Sequence, residues 1–280
     1  MTDLGALKGK ILLFGGVYSN LQSLQKLIEI AHEHNIPADH CICTGDLIGY
    51  CAQPEETITL FREWGALSIK GNVEEQLVAG ASNCGCDFTE GGRCDSFSQI
   101  WYPYAKRHLS DASLQWLESL PDHIAFQVGS LKTLLVHGSF TNISEFIFES
   151  TSIDVKLENF KQSQSDMIIA GHAGLPFAQE IGKRVWINPG VIGMPANDGS
   201  AAVWYSLLEV KKGSASCTFH TYEYNALRAS QLMDVALLPK TYAKTLLSGI
   251  WDNMEILPPF ERGRQGYPID LKKVTFNILK

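Results

Sequence analysis

Four polar residues, each beside a glycine, follow runs of sequence that predict buried strands, and this pattern most constrains the fold. The four pairs are Gly45-Asp46, Gly71-Asn72, His137-Gly138 and Gly171-His172. Glycine allows the backbone to turn sharply at a strand end and lets a ligand approach closely. Carboxylate, carboxamide and imidazole groups are ligands of divalent metals. The four residues therefore predict one site assembled from loops at strand ends.

The first seventy residues alternate between strand patterns and helix patterns. Strands are predicted over residues 10–14, 40–43 and 66–69, and helices over residues 20–34 and 54–64. The strand runs are short and apolar, whereas the helices have apolar residues at helical spacing. Asn20 is a good N-cap, and Pro54 suits a first helical turn. This order implies parallel strands with helices outside the sheet.

The rest of the chain is predicted to add antiparallel pairs and helices. Strands are expected over residues 123–128, 131–136, 166–170, 184–187, 201–210 and 214–222, and helices over residues 110–120 and 225–247. Turns at Gly129-Ser130 and Lys211-Lys212-Gly213 are typical of hairpins. Residues 79–95 predict a loop or insertion, and the last thirty residues, which contain three prolines, are expected to wrap the surface.

Composition and charge limit the classes of function. The chain is 45% hydrophobic and 19% charged, which is ordinary for a globular protein, and its formal charge of −7 argues against general nucleic-acid binding. No apolar run reaches the roughly 18 residues that span a bilayer, and the N-terminus lacks the apolar core of a signal peptide. We therefore expect a cytoplasmic protein without membrane contacts, folded as one domain over residues 1–280. The oligomeric state is not determined by the sequence.

With its loops placed, the chain resembles the calcineurin-like metallophosphoesterase superfamily, in particular small bacterial and archaeal phosphodiesterase-type members. The matching segments are ILLFGGVYSNLQSL, TGDLIGYCAQPEE, IKGNVEEQL, LLVHGS, IAGHAGLPF and INPGVIGMPAND. They cover a motif core of about residues 10–210, and the helical, wrapping tail of about residues 225–280 matches more weakly through SGIWDNMEILPPFERG. The resemblance implies an α/β fold of four layers, a two-sheet β-sandwich of mixed strands flanked by helices, with two metals at strand ends.

The departures from the family pattern fall on one of the two metals. The family's first motif is Asp-x-His, and Gly16 and Tyr18 stand in its place; the second histidine of Gly-His-x-His is replaced by Gly174. Three of the four protein ligands of the first metal are therefore missing. The resemblance implies that the second metal keeps all of its ligands, which are also the predicted catalytic residues: Asp46, Asn72, His137 and His172.

The resemblance therefore implies one divalent metal per chain, with a second metal weak or absent. The ligand set suits manganese, iron, zinc or, less well, magnesium. Tyr18 could ligate a metal only as a phenolate, far from its usual protonation state. Val73 replaces the family's histidine that protonates the leaving oxygen, and it cannot do so. Vestigial first-site or substrate-side positions are Gly16, Tyr18, Val73, Gly174 and Asn188.

Two functions fit this pattern. The first is a metal-dependent phosphoesterase with an incomplete, mononuclear centre that hydrolyses a small phosphorylated substrate, either a phosphodiester or a phosphomonoester. The second is a weakly active or inactive homologue that binds a metal or a phosphorylated ligand as a sensor or interaction module. Both retain a metal, because the loss of ligands is confined to one site.

Other features have simpler interpretations. Cys41-x-Cys43-x7-Cys51 and Cys84-x-Cys86-x7-Cys94 share one spacing. The first set begins inside a strand and predicts core thiols. The second set could bind zinc or form a disulfide, although three ligands without a fourth are a weak zinc signal. Glu74 and Glu75 are interpreted as partners of a helix dipole.

Overall fold

A computed structural model of the chain describes residues 1–86, 91–211, 213–271 and 273–277. The strands are β1 (Thr2–Leu7), β2 (Gly9–Phe14), β3 (Cys41–Cys43), β4 (Leu67–Ser68), β5 (Ile124–Val128), β6 (Leu131–Val136), β7 (Met167–Ala170), β8 (Phe177–Ile181), β9 (Arg184–Asn188), β10 (Val203–Lys211), β11 (Ser214–Tyr222) and β12 (Val274–Asn277). The helices are α1 (Leu21–Glu33), α2 (Pro54–Trp64), α3 (Asn72–Val78), α4 (Arg93–His108), α5 (Asp111–Ser119), α6 (Ile153–Ser163), α7 (Ala226–Val235), α8 (Lys240–Ser248) and α9 (Pro259–Arg262).

The strands form two mixed sheets of six strands each. One sheet has the order β1-β5-β6-β7-β9-β8 and the other β12-β11-β10-β2-β3-β4. A core of buried side chains from both sheets, such as Leu13, Leu135 and Ile169, lies between them. A larger core joins the other face of the second sheet to α1, α2, α4, α5, α7 and α8, and a third packs α6 on the first sheet. The predicted four-layer sandwich is confirmed; that the chain is one domain stays a prediction.

Parallel pairing brings the predicted site loops to one edge. In one sheet β2, β3 and β4 run parallel, and in the other β6, β7 and β9 do. The loops after β3, β4, β6 and β7 contain the four predicted ligands in chain order. Because the carboxyl ends of parallel strands lie at the same edge, these four loops meet where the two sheets come together.

Several elements differ from the sequence prediction. Strands β1 and β12 were not predicted, because β1 is largely exposed and is paired through its backbone at a sheet edge, as β12 is. Helix α6 and strand β8 were also missed. The region predicted as a loop over residues 79–95 already contains the start of α4 at Arg93, and residues 87–90 lie outside the described part. Lys212 of the predicted turn also lies outside it.

The predicted helix over residues 225–247 is two helices. Leu237 adopts a left-handed φ of 56°, and Pro239 lacks the N–H that a continuous helix requires. The chain therefore turns between α7 and α8, and the two helices pack against each other. Asn20 caps α1 as predicted, because its side chain accepts from the Ser23 N–H. No helix in the described ranges is long and apolar enough to cross a membrane.

Lys156 of α6 supplies a test of the packing of this helix on the first sheet. Its side chain is fully buried, and its ammonium group donates to the Gln179 side chain at 2.6 Å and to the Glu149 carbonyl at 2.9 Å. Burial lowers the pKa of Lys156 from 10.5 to about 8. Between these two values the unfolded chain holds a proton that the folded protein has released, so stability rises with pH.

We expect the free energy of unfolding of the wild type to increase relative to Lys156→Met as pH rises from about 8 to 10.5. Urea denaturation of both proteins across this range measures the difference. Lys161→Met is the matched control, because Lys161 lies on the same helix and is exposed. If the difference in free energy of unfolding between the wild type and Lys156→Met stays constant with pH, the lowered pKa of the buried Lys156 is contradicted.

Candidate metal centre

The four predicted ligands come together. Ligand atoms of Asp46, His137 and His172 all lie within 4.8 Å of one another, and all three side chains are buried. The Nε2 atom of His137 lies 3.1 Å from Nδ1 of His172, 3.0 Å from Oδ1 of Asn72 and 3.3 Å from Oδ2 of Asp46. Two loops from each sheet therefore converge on one point.

Hydrogen bonds to the backbone orient these side chains. Nδ1 of His137 donates to the Thr44 carbonyl at 2.7 Å, so the neutral ring keeps its lone pair on Nε2. The Asn72 amide nitrogen donates to the Cys84 carbonyl at 2.8 Å and to the Cys86 sulfur at 3.1 Å. Its oxygen is thereby directed at the His137 ring. These assignments follow from the hydrogen-bond partners.

The donor set fits a divalent cation. In the neutral form the facing atoms are lone-pair acceptors, and buried acceptors at such distances repel unless a proton or a cation lies between them. Two imidazoles, one carboxamide oxygen and one carboxylate are a suitable set for a divalent metal. The number of protein ligands leaves positions open for a substrate. The individual ligand roles of Asp46, Asn72, His137 and His172 stay predictions.

The charge states follow from burial and from mutual attraction. Burial, and then repulsion from His137, lowers the pKa of His172 to about 3, so this ring is neutral at physiological pH. Burial opposes both charges of the Asp46–His137 pair, but their attraction exceeds it, lowering the pKa of Asp46 and raising that of His137. A cation held by Asp46 and His137 would replace the proton between them.

The glycines beside the ligands allow close approach of the loops. A Cβ atom on Gly71 would lie 2.1 Å from the Asp46 carboxylate, and one on Gly171 would lie 2.3 Å from the Thr44 hydroxyl. Asp46 and His172 themselves adopt left-handed φ values of 57° and 54°. Such a conformation costs about 1–3 kcal/mol for a residue with a side chain, so the surrounding structure must impose it.

Glu74 lies in the first turn of α3, as its interpretation as a helix-dipole partner requires, and it has a further role that the sequence did not indicate. Its carboxylate is fully buried and accepts backbone N–H bonds from Gly71 at 2.8 Å, Asp46 at 2.9 Å and Ile48 at 3.0 Å. It therefore ties the Asp46 loop to the start of α3, which contains Asn72. Burial, and then repulsion from Asp46, raises the pKa of Glu74 to about 7. Its spacing of three residues from Gly71 was the available signal, since a glutamate at this position of a helix can accept the N-cap N–H, as in one half of a capping box.

The Tyr18 ring fills the volume that a side chain at Gly16, the position of one missing first-metal ligand, would occupy. A Cβ atom on Gly16 would lie 2.2 Å from Cζ of the Tyr18 ring, and one on Gly49 would lie 2.8 Å from the same ring. The ring stacks edge-on against Tyr50, and Tyr18 is only 6% exposed. Burial, and then repulsion from Asp46, raises the pKa of Tyr18 well above 10, so the side chain is a phenol.

The other departures from the family motif have different surroundings. Val73 is buried, and its N–H points at the Asp46 carboxylate at 3.4 Å. The Asn188 amide bonds to the backbone of Gly171 and Gly190, so it holds the His172 loop and has no group directed at a substrate. A side chain on Gly174 would point toward Val191 and Trp251.

A pocket opens over the centre. Its walls are mainly aromatic and apolar, and the residues that line it include Tyr18, Asp46, Tyr50, Cys86, Phe146, His172, Met194, Tyr242, Trp251, Asp252 and Ile256. Phe146 stacks on the His172 ring with centroids 4.2 Å apart. The charged residues in its wall are Asp46 and Asp252, and Arg93 neutralises Asp252 from outside at 2.5 Å.

Among the described residues, the second cysteine set does not gather into the zinc site that its spacing allowed. In the described ranges, the group of three or more close metal-ligating side chains is Asp46, His137 and His172. Cys84 and Cys86 contact each other, whereas Cys94 accepts from the Asn253 side chain. The first set, with Cys41 and Cys43 in β3, consists of buried thiols, as predicted.

Glu74→Gln is expected to lower the free energy of unfolding by about 2 kcal/mol, because the amide cannot accept all three buried N–H bonds. Zinc affinity should fall as well, since the Asp46 loop is released. Urea denaturation and competition with a chelating dye measure the two effects. The control is Glu75→Gln, an exposed neighbour in the same helical turn. Equal behaviour of the two variants would contradict the role of Glu74.

A family model and one known protein match most of the chain. Residues 10–213 match the model of the calcineurin-like phosphoesterase superfamily domain. The uncharacterized protein MJ0912 of Methanocaldococcus jannaschii is 24% identical over 259 residues, which cover 86% of this chain and 99% of that protein.

Two solved structures share the fold. The hypothetical protein PH1004 from Pyrococcus horikoshii OT3 has a TM-score of 0.72 at 16% identity, covering 86% of this chain and 99% of its own. A metallophosphoesterase from Sphaerobacter thermophilus has a TM-score of 0.67 at 23% identity, covering 87% and 100%. Because the family model spans most of its length, the chain belongs to the calcineurin-like phosphoesterase superfamily, as the sequence motifs predicted.

Proposed function

We propose that the protein is a metal-dependent phosphoesterase with a mononuclear centre, acting on a phosphodiester of a small molecule. The observation that supports this most directly is the convergence of Asp46, Asn72, His137 and His172 while the Tyr18 ring fills the adjacent volume. Two imidazoles, a carboxamide oxygen and a carboxylate that meet at one buried point are a suitable ligand set for a divalent cation.

The chain's residues hold and shield the reacting phosphate. A divalent cation at the centre would polarise a phosphoryl oxygen and lower the pKa of an attacking water. The Thr44 carbonyl fixes the His137 ring, and Phe146 covers the His172 ring from the pocket side. Burial raises the pKa values of Tyr18 and Tyr242 well above 10, so both are neutral hydroxyl groups in the pocket wall. They are suited to donate to phosphoryl oxygens.

The charge of the pocket favours a phosphodiester over a phosphomonoester. A monoester is largely a dianion at neutral pH, whereas a diester has a single charge. The pocket wall contains no lysine or arginine in the described ranges, and residues 87–90 contain none in sequence. Burial of a second, uncompensated negative charge among Phe146, Met194 and Trp251 is unfavourable. A diester whose substituent is apolar or aromatic matches these walls.

The alternative function is a binding module without turnover. It is favoured by Val73, which is buried and apolar where the family has a proton donor, and by the filled first-metal volume. Under this alternative the same pocket binds a phosphorylated ligand and a cation but does not hydrolyse the ester. Turnover and binding are separate measurements, so the two functions are distinguishable.

We expect the purified protein with manganese or zinc to hydrolyse a chromogenic aryl phosphodiester faster than the matching aryl phosphomonoester. Asp46→Asn should lower kcat/KM by about 100-fold or more, because it removes the carboxylate from the centre. Asp252→Asn is the control, since Asp252 lies in the pocket wall away from the ligand cluster. If the wild type turns over no faster than Asp46→Asn but still binds phosphate, that result would support the alternative function.

Metal content provides the second test. We expect about one zinc ion per chain after dialysis, both in the wild type and in Tyr18→Phe, because the ring and not its hydroxyl fills the volume. The double variant Gly16→Asp with Tyr18→His restores two family ligands and empties that volume. It should bind more than one ion, as measured by elemental analysis. Two ions per wild-type chain would overturn the mononuclear proposal.

A further inference from the structure

Two cysteines at the edge of the centre are arranged to react with each other. The sulfur atoms of Cys84 and Cys86 lie 2.9 Å apart, and Gly85 between them has a left-handed φ of +68° that bends the segment. Cys84 is 2% exposed, whereas Cys86 lines the pocket over the metal centre. One sulfur of the pair is therefore accessible to a small molecule that enters the pocket, and the other is protected beneath it.

The other cysteines are placed differently. Cys41 and Cys43 donate to the backbone carbonyls of Pro37 and Gly45, and Cys94 accepts from Asn253. The contact between two sulfur atoms, with one of them at a pocket, distinguishes Cys84 and Cys86 from these residues.

The cysteine pair contacts a predicted metal ligand directly. The Asn72 amide nitrogen donates both to the Cys84 carbonyl at 2.8 Å and to the Cys86 sulfur at 3.1 Å. These two bonds direct the Asn72 oxygen toward His137. Any change in the covalent state of the pair therefore alters the orientation of a group at the centre.

We propose that Cys84 and Cys86 form an oxidisable dithiol whose conversion to a disulfide by a peroxide weakens metal binding. In the first step the Cys86 sulfur takes one oxygen from hydrogen peroxide, giving a sulfenic acid and one water. In the second step the Cys84 sulfur attacks the Cys86 sulfur, forming the S–S bond and releasing the second water. The peroxide is reduced by two electrons, and both thiol protons leave in water.

The consequence for the centre follows from the geometry. Bond formation shortens the distance between the sulfur atoms from 2.9 Å to about 2.05 Å, which moves Cys86 toward Cys84 and away from its present contact with Asn72. A disulfide sulfur is also a weaker hydrogen-bond acceptor than the sulfur of the reduced Cys86. Loss of a bond that orients a ligand lowers metal affinity by about 10–100-fold. This consequence rests on the proposed function, because it requires Asn72 to be a ligand.

The disulfide can be tested without reference to activity. The protein is loaded with zinc, which has no redox chemistry of its own, and is treated with hydrogen peroxide. Trypsin then cleaves after Lys70 and Arg93, so the peptide of residues 71–93 contains Cys84 and Cys86 and no other cysteine. We expect this peptide to lose two hydrogen atoms in mass and to resist alkylation until dithiothreitol is added. A peptide that keeps two free thiols, or a disulfide with Cys94, would overturn the proposal.

The effect on the metal is measured in the same samples. Zinc affinity, from competition with a chelating dye, should fall about tenfold on oxidation and return on reduction. Cys84→Ser should show no reversible change, and Cys94→Ser, a nearby cysteine outside the pair, should behave as the wild type. If the disulfide forms and zinc affinity is unchanged, the link to the centre is wrong. If the untreated wild type shows no turnover, that result contradicts only the proposed function and leaves the disulfide proposal standing.

Discussion

The close contact between the Thr44 loop of one sheet and the Gly171 loop of the other is the constraint on which the site depends. Only a glycine at position 171 leaves room for the Thr44 hydroxyl, and the Thr44 carbonyl fixes the His137 ring. A site built at the junction of two sheets requires both sheets to have the correct register. Glu74 provides the equivalent link within the second sheet, since its one carboxylate joins the loops of Asp46 and Asn72.

The loss of the first-metal ligands is accompanied by a replacement. Gly16 alone would leave a void beside Asp46, and voids in a close-packed interior are unfavourable. The Tyr18 ring occupies that volume, and Gly49 and Gly193 lack side chains where the ring and its Cβ pass. Substitution of a ligand by glycine and packing of an aromatic ring are thus two parts of one change. The result is an apolar wall at this position, on which the proposal of a mononuclear centre rests.

The proposed substrate preference and the cysteine pair both follow from that pocket. Its walls offer aromatic surface and neutral hydroxyl groups, but the positive charge must come from the centre itself. Under the proposed function, any change that disturbs Asn72 would therefore affect most of the pocket's affinity for an anion. Cys86 lies within contact of Asn72 and within the pocket wall, so a reactive molecule of small size reaches both by the same route.

The sequence by itself determined the order of most strands, the family and the four side chains that converge, because apolar runs, glycines and polar ligands are local signals. It did not indicate β1 and β12, which are held by backbone pairing at sheet edges, or the break at Leu237. Only the tertiary structure decided that Glu74 is a buried link, that Tyr18 fills the first-metal volume, and that Cys86 contacts Asn72. These facts depend on residues distant in the chain meeting in space, and apart from the spacing of Glu74 from Gly71 no local sequence pattern indicates them.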